Sequence, residues 1–193
     1  VKYVDLPLQH AHDAVLRSMN RPDTRADIEK LIGKLRARIP GVAIRSTFIV
    51  GFPGETDAQY QTLRRFVEKQ RFDKVGIFTY SEEEDTPAAA MGKKVSEEVM
   101  QERYHDLMSL QSKISEEINI GLECQELDVL IEGHDAEQSG IAVGRSYREA
   151  PEVDGQIYIE GDAESAPGEI VRVRLLQGFT YDIVGERVQS CRL

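Results

Sequence analysis

Apolar positions in the first two thirds of the chain alternate between short strand-like runs and helical repeats. Val1 to His10 reads as a buried strand passing into a loop, and Asp13 to Met19 as a helix with Val15, Leu16 and Met19 on its apolar side. Ile28, Leu31, Ile32, Leu35 and Ile39 then recur at spacings of three and four. Asp23 or Thr24 can cap that helix, and Pro40-Gly41 ends it after Arg38. The β-branched run Ala43–Val50 predicts a strand closed by Gly51-Phe52-Pro53-Gly54. Thr56 or Asp57 then starts a helix carrying Tyr60, Leu63, Phe66 and Val67. Lys74 to Tyr80 predicts a further strand, followed by the acidic loop 81–85. Ser96 caps a long helix from about Glu97 to Ile118, whose Met100, Tyr104, Leu107, Ile114 and Ile118 are expected to pack on the first domain.

From Gln125 the period drops to two. Leu127, Val129 and Ile131 alternate, as do Ile157 and Ile159, then Val171, Val173 and Leu175, then Phe179, Tyr181 and Ile183. Glycine-bearing turns separate these runs, so four or five antiparallel strands in a small closed barrel of the OB type are predicted. The alternation in the first part predicts parallel strands with crossover helices, an architecture that puts ligand chemistry at the C-terminal strand ends: Pro7-Leu8-Gln9, Gly51 to Glu55, and Tyr80-Ser81. Three such strands do not close a barrel, so a partner half is expected. The predicted division is 1–123, an α/β unit with its connecting helix, and 124–193, a β module.

With 40% hydrophobic and 30% charged residues and no biased tract, the chain has the profile of a folded protein. No apolar run approaches the roughly eighteen residues of a spanning helix and no signal peptide opens the chain, so a cytoplasmic location is expected. Charge is uneven. Residues 124–193 hold 14 acidic and 6 basic residues, a net of −8 out of −10 for the chain, and no lysine follows Lys113. Such a surface repels a phosphate backbone and attracts a basic protein, although it also serves simple solubility. Cys124 and Cys191 are far apart and read as lone thiols. His10, His12, His105 and His134 have no zinc-ligand spacing, so no complete metal site is expected.

Gly51-Phe52-Pro53-Gly54-Glu55-Thr56 lies between strand and helix but lacks the Gly-Lys-Ser/Thr ending of a phosphate loop. Together with Arg45-Ser46-Thr47-Phe48-Ile49-Val50 it resembles the fifth-strand motif of radical S-adenosylmethionine enzymes. Tyr3-Val4-Asp5-Leu6-Pro7-Leu8-Gln9-His10 with Val15 to Met19, and Phe78-Thr79-Tyr80-Ser81 through Ala88, are similar to the fourth and sixth strands of the methylthiotransferase family. The helix containing Gln101-Glu102-Arg103 leads, as in that family, into a TRAM domain. The fold implied is α/β: the C-terminal half of a partial (β/α) radical-SAM barrel, residues 1–123, followed by a small all-β, OB-like TRAM barrel, residues 124–193. Gly144 to Gly155 resembles the branch acting on small-subunit ribosomal protein S twelve.

The resemblance implies addition of a methylthio group to the β-carbon of an aspartate of that protein, on the ribosome, with S-adenosylmethionine as cofactor. Two four-iron four-sulfur clusters are implied as well. Their cysteine ligands would lie outside this chain, which alone is expected to be inactive. It implies cofactor contacts by Gln9 (ribose), Arg45 (methionine carboxylate), Gly51 and Gly54 (close backbone approach) and Tyr80 (adenine). Loop anchoring, a surface ion pair, turn-making and core packing are the plain alternatives, and Glu55 is expected to cap the following helix or brace the loop. Arg145, Tyr147, Glu149, Glu152 and Asp154 are candidate substrate-docking residues, with solvated loop charges the alternative. Two other readings stay open: a methylthiotransferase acting on transfer RNA, and a non-catalytic module binding protein or nucleic acid.

Overall fold

A computed structural model of the protein describes residues 1–188; Cys191 lies outside the described residues. Contacts divide the chain into Val4–Ile114 and a second unit made of Val1–Tyr3 with Ser115 onward.

In the first unit, β1 (Tyr3–Gln9), β2 (Ala43–Val50) and β3 (Lys74–Thr79) form a sheet of order β1-β2-β3, with β2 and β3 parallel from Arg45 opposite Lys74 to Val50 opposite Thr79. Helices α1 (Asp13–Ser18), α2 (Arg25–Arg38) and α3 (Asp57–Gln70) connect the strands, and α4 (Glu97–Ile120) follows them. Thr24 and Thr56 each cap the next helix by accepting the N–H of the third residue, Asp27 or Gln59, whose side chain accepts the cap's own N–H in return. Alternate residues of β2, among them Ile44, Phe48 and Val50, are fully buried. Phe48 meets Phe66 of α3 and Phe72 edge-on, at 6.3 and 5.7 Å between ring centroids. The buried stripe of α4 includes Met100, Leu107 and Ile114 as the sequence predicts, but also Arg103 and Gln111. Gln111 donates to the Phe72 carbonyl at 2.9 Å, and Arg103 belongs to the site described below.

The second unit holds a closed barrel of β4 (Glu126–His134), β5 (Ile141–Arg145), β6 (Ile157–Glu160), β7 (Ile170–Gly178) and β8 (Ile183–Arg187), ordered β4-β5-β6-β8-β7. Val129, Ile131, Ala142, Ile157, Ile159, Val171, Val173, Leu175 and Ile183 fill it. Two sequence expectations are corrected. The strands are not all antiparallel, since β6 and β8 run parallel; a closed ring of five strands cannot alternate direction all the way round. Phe179 and Tyr181 belong to no strand and are exposed, at 44% and 49%. Their positions form the turn that reverses β7 into β8. There Gly178 lies so close to the backbone of Asn119 that a side chain would collide with it, and Asn119 donates to the Phe179 carbonyl at 2.7 Å.

Candidate functional site

The C-terminal ends of β1 and β2 are tied together by one buried carboxylate. Glu55 is wholly buried; its Oε1 lies 3.2 Å from His10 Nε2, and its Oε2 lies 3.2 Å from an Arg103 guanidinium nitrogen and accepts the Gly51 N–H. His10 Nδ1 accepts the His12 N–H at 3.0 Å, which leaves Nε2 to donate to Glu55. Arg103 also reaches Asp57 at 2.6 Å and lies 5.4 Å from the centre of the Tyr60 ring. Tyr60 in turn donates to Asp106 at 2.7 Å, and Arg64 reaches the same oxygen at 2.9 Å. Burial, reinforced by that bond, pushes the Tyr60 hydroxyl pKa up. Burial alone would raise Asp106, but the hydrogen bonds from Tyr60 and Arg64 outweigh it and hold the carboxyl below its ordinary value. Glu55 therefore braces the glycine turn, as expected from the sequence. His10 and Arg103 were not foreseen. A charged residue on the buried stripe of a helix was the available signal for Arg103.

The turn itself needs glycine. Gly51 and Gly54 have φ of +78° and +85°, and a side chain on Gly51 would run into Met100, whose Sδ lies 2.6 Å from the Cβ position. Gly54 has open space beside it and donates to the Lys93 carbonyl at 2.9 Å.

A cavity of about 730 Å³ opens at these strand ends, with Gln9, Met19, Ile49, Phe52, Phe78 and Tyr80 in its wall. Tyr80 also borders a second hollow of about 300 Å³ beside Gly51 and Met100. Its ring packs edge-on against Phe52 at 5.4 Å, and its buried hydroxyl has no hydrogen-bond partner. Gln9, at φ +69°, directs its amide to the Pro7 carbonyl at 3.4 Å. The structure thus gathers Gln9, Gly51 and Tyr80 around the strand ends, with Gly54 in the same turn. Arg45 is not brought there: it sits near the start of β2, paired with Asp5 at 2.8 Å. Val50 lies five positions further on, about 16 Å along a strand.

In the barrel, the expected docking residues fall in and after β5. Arg145 pairs with Glu132 at 2.7 Å, and Tyr147 lies under the Arg148 guanidinium at 6.0 Å. Glu149 departs from the expectation of an exposed charge: it is 5% exposed, and its carboxylate accepts the Ser146 N–H and hydroxyl at 2.9 and 2.7 Å. A carboxylate buried to that extent inside its own loop cannot meet a partner. Glu152 is exposed at φ +63°, and Asp154 accepts the Ala150 N–H at 2.9 Å, closing the same turn. Among the described residues no group of His, Cys, Asp and Glu is placed to hold a metal ion, and Cys124 is a free, exposed thiol.

Comparison with known proteins gives matches in both units. The radical SAM superfamily matches residues 1–67, and the TRAM domain matches residues 124–188. The chain is 46% identical over 186 residues to the ribosomal protein uS12 methylthiotransferase RimO of Caldanaerobacter subterraneus subsp. tengcongensis, covering 96% of this chain and 42% of that protein. It is 48% identical over 188 residues to the protein of the same description from Geotalea uraniireducens, covering 97% and 42%. With the one from Roseiflexus sp. it shares 46% over 190 residues, covering 97% and 40%. The chain thus spans about two fifths of the length of the curated relatives it matches.

Proposed function

From a chain that belongs to the radical S-adenosylmethionine methylthiotransferase family, we infer part of an enzyme that adds a methylthio group to the β-carbon of an aspartate of ribosomal protein uS12. The observation that carries this reading is the continuity of the likeness, which runs through both units without a break and is to one described activity throughout. Residues 1–123 are read as the C-terminal part of a (β/α) radical-SAM barrel with its connecting helix, and residues 124–193 as its TRAM domain.

The cavity at the strand ends suits S-adenosylmethionine. Its volume of about 730 Å³ lies within the range of roughly 300–1,000 Å³ of small-molecule sites. Its walls are apolar and aromatic, and the partnerless Tyr80 hydroxyl supplies a donor that the fold itself leaves unused. Gln9 and Tyr80 would hold the nucleoside, with the Gly51–Gly54 turn giving close backbone approach. Arg45, held by Asp5 at the far end of its strand, is left out of this set. Glu55, with His10 and Arg103, acts on the cofactor only through the turn it fixes. The cofactor supplies the radical chemistry that an unactivated C–H bond requires. The described residues do not provide a cluster site, and we place the iron-sulfur ligands in the portion of the enzyme outside this chain.

The barrel is read as the substrate-docking part, with Arg145, Tyr147, Glu152 and Asp154 at one rim. Its acidic balance favours a basic ribosomal protein over transfer RNA. No helix among the described residues is long and apolar enough to cross a membrane, and a cytoplasmic location agrees with a ribosomal substrate. Titrating labelled uS12 and, separately, transfer RNA with the full chain over a series of salt concentrations tests the reading. Salt-sensitive binding of uS12 alone supports it; preference for transfer RNA overturns it. Calorimetric titration with S-adenosylmethionine, in which Tyr80→Phe weakens binding, tests the cofactor assignment.

A further inference from the structure

The barrel's register builds a row of apolar side chains on its outer surface. Gly133 of β4 stands opposite Val143 of β5, Val143 opposite Tyr158 of β6, and Tyr158 opposite Val184 of β8. Their chain neighbours Ala142, Ile157, Ile159 and Ile183 fill the core, so strand alternation turns Val143, Tyr158 and Val184 to the outer face, where Val143 is 9% exposed and Tyr158 and Val184 are half-buried. Acidic groups flank the row. Glu160 pairs with Glu186 in the next rung on one side, and Asp182 accepts the Gln156 N–H at 2.8 Å on the other. At Gly133 an added Cβ would meet nothing within 4 Å. The row begins there in a hollow of about 280 Å³ bordered by Glu132, His134, Asp135, Gln156 and Tyr158. Burial, then the charges of Asp182 and Asp135, push the Tyr158 hydroxyl pKa up, which marks both carboxylates as neighbours of the phenol.

Of these acids Glu186 is paired with Arg174 at 3.3 Å, which leaves Glu160, Asp182 and Asp135 outside the ion pairs of the described residues. Arg145 is engaged by Glu132 at 2.7 Å, Arg172 by Asp128 at 3.0 Å, Arg174 by Glu126 at 3.3 Å and Arg187 by Glu169 at 3.2 Å. We propose that this Gly133–Val143–Tyr158–Val184 row seats an extended basic segment of the protein substrate, an apolar or aromatic side chain lying over Tyr158 and lysines or arginines meeting the flanking carboxylates. The proposal rests on the reading of a basic protein as substrate and moves the centre of docking from the loop after β5 to the face of β5, β6 and β8. Charge complementarity selects this occupant: a polyanion would have to displace paired arginines, whereas a cationic segment finds carboxylates and an aromatic face.

The test titrates labelled uS12 with the full chain and with two variants. Gly133→Phe fills the hollow at a position whose φ lies outside the left-handed region and whose Cβ direction is open. Tyr158→Ala removes the floor. Each is expected to weaken uS12 binding by roughly tenfold or more, the loss typical of a central anchor, with the circular-dichroism spectrum unchanged. Should Gly133→Phe fail to fold, Tyr158→Ala decides. If the parent chain binds uS12 and the folded variants bind it equally well, the groove is wrong and the reading of a basic substrate stands. A parent chain that binds transfer RNA instead, or neither probe, overturns both.

Discussion

In the α/β unit, the side chains of Glu55 and Arg103 are 0% and 7% exposed and hold the glycine turn at the strand ends. In the barrel, Arg172 and Arg174 reach Glu126 with 49% and 47% of their side chains in water. Both arrangements pair opposite charges, yet they do different things. A buried carboxylate whose partners come from three segments fixes one conformation, because removing any member strands another in a medium that solvates it poorly. Exposed cross-strand pairs contribute little to stability each. What the barrel gains from charge is a surface potential, set by the acids left over after its arginines are paired.

Breaking the buried network gives the largest effect. Glu55→Ala is expected to destabilise the protein by about 3–5 kcal/mol, since it leaves Arg103 without its buried partner; urea unfolding followed by circular dichroism measures the loss. Next is Gly51→Ala, expected to cost about 2 kcal/mol, from the left-handed φ and the collision with Met100. Adding Met100→Ala should relieve the steric part but leave the backbone part, and a double-mutant cycle separates the two.

The barrel should respond in the opposite sense. Arg174→Ala is expected to change stability by less than about 1 kcal/mol, while making the barrel more acidic and speeding association with the proposed substrate uS12 at low salt, as stopped-flow fluorescence would report. A fall in stability comparable to that of Glu55→Ala would erase the contrast between the units.

The smallest effect concerns His12, whose imidazole caps α1 by accepting the Ala14 N–H at 3.2 Å. Burial, then the neighbouring His10, lowers its pKa from 6.5. A depressed folded-state value means that the neutral ring belongs to the native state. Its contribution is therefore complete above pH 6.5 and is lost as pH falls through the lowered value. Thermal midpoints from pH 7.5 down to 5 should decline less steeply in His12→Asn, which caps without titrating.

Much of this was legible from local pattern. Thr24 and Thr56 announce their helices, and the strand ends at Gln9, Gly51 and Tyr80 follow from where apolar runs meet glycine and polar residues. The turn at Phe179 and Tyr181 was misread because alternation continues through it; only the need to reverse direction interrupts the strand. Glu149 looked like one more loop acid, although Ser146 three residues before it is the local partner that sets it apart from exposed Glu152.

By itself, then, the sequence determined the helices, most strands, the glycine turn, the acidic balance of the barrel and the family, because propensity, capping and composition act over a few residues or over none in particular. Tertiary structure alone decided that His10, Glu55 and Arg103 meet, that Arg45 stays away from the cavity, that β6 and β8 run parallel, and that Val143, Tyr158 and Val184 line up. Each of these depends on segments tens of residues apart, where ring closure, strand register and the scarcity of partners for buried charge choose among contacts that local sequence leaves equivalent.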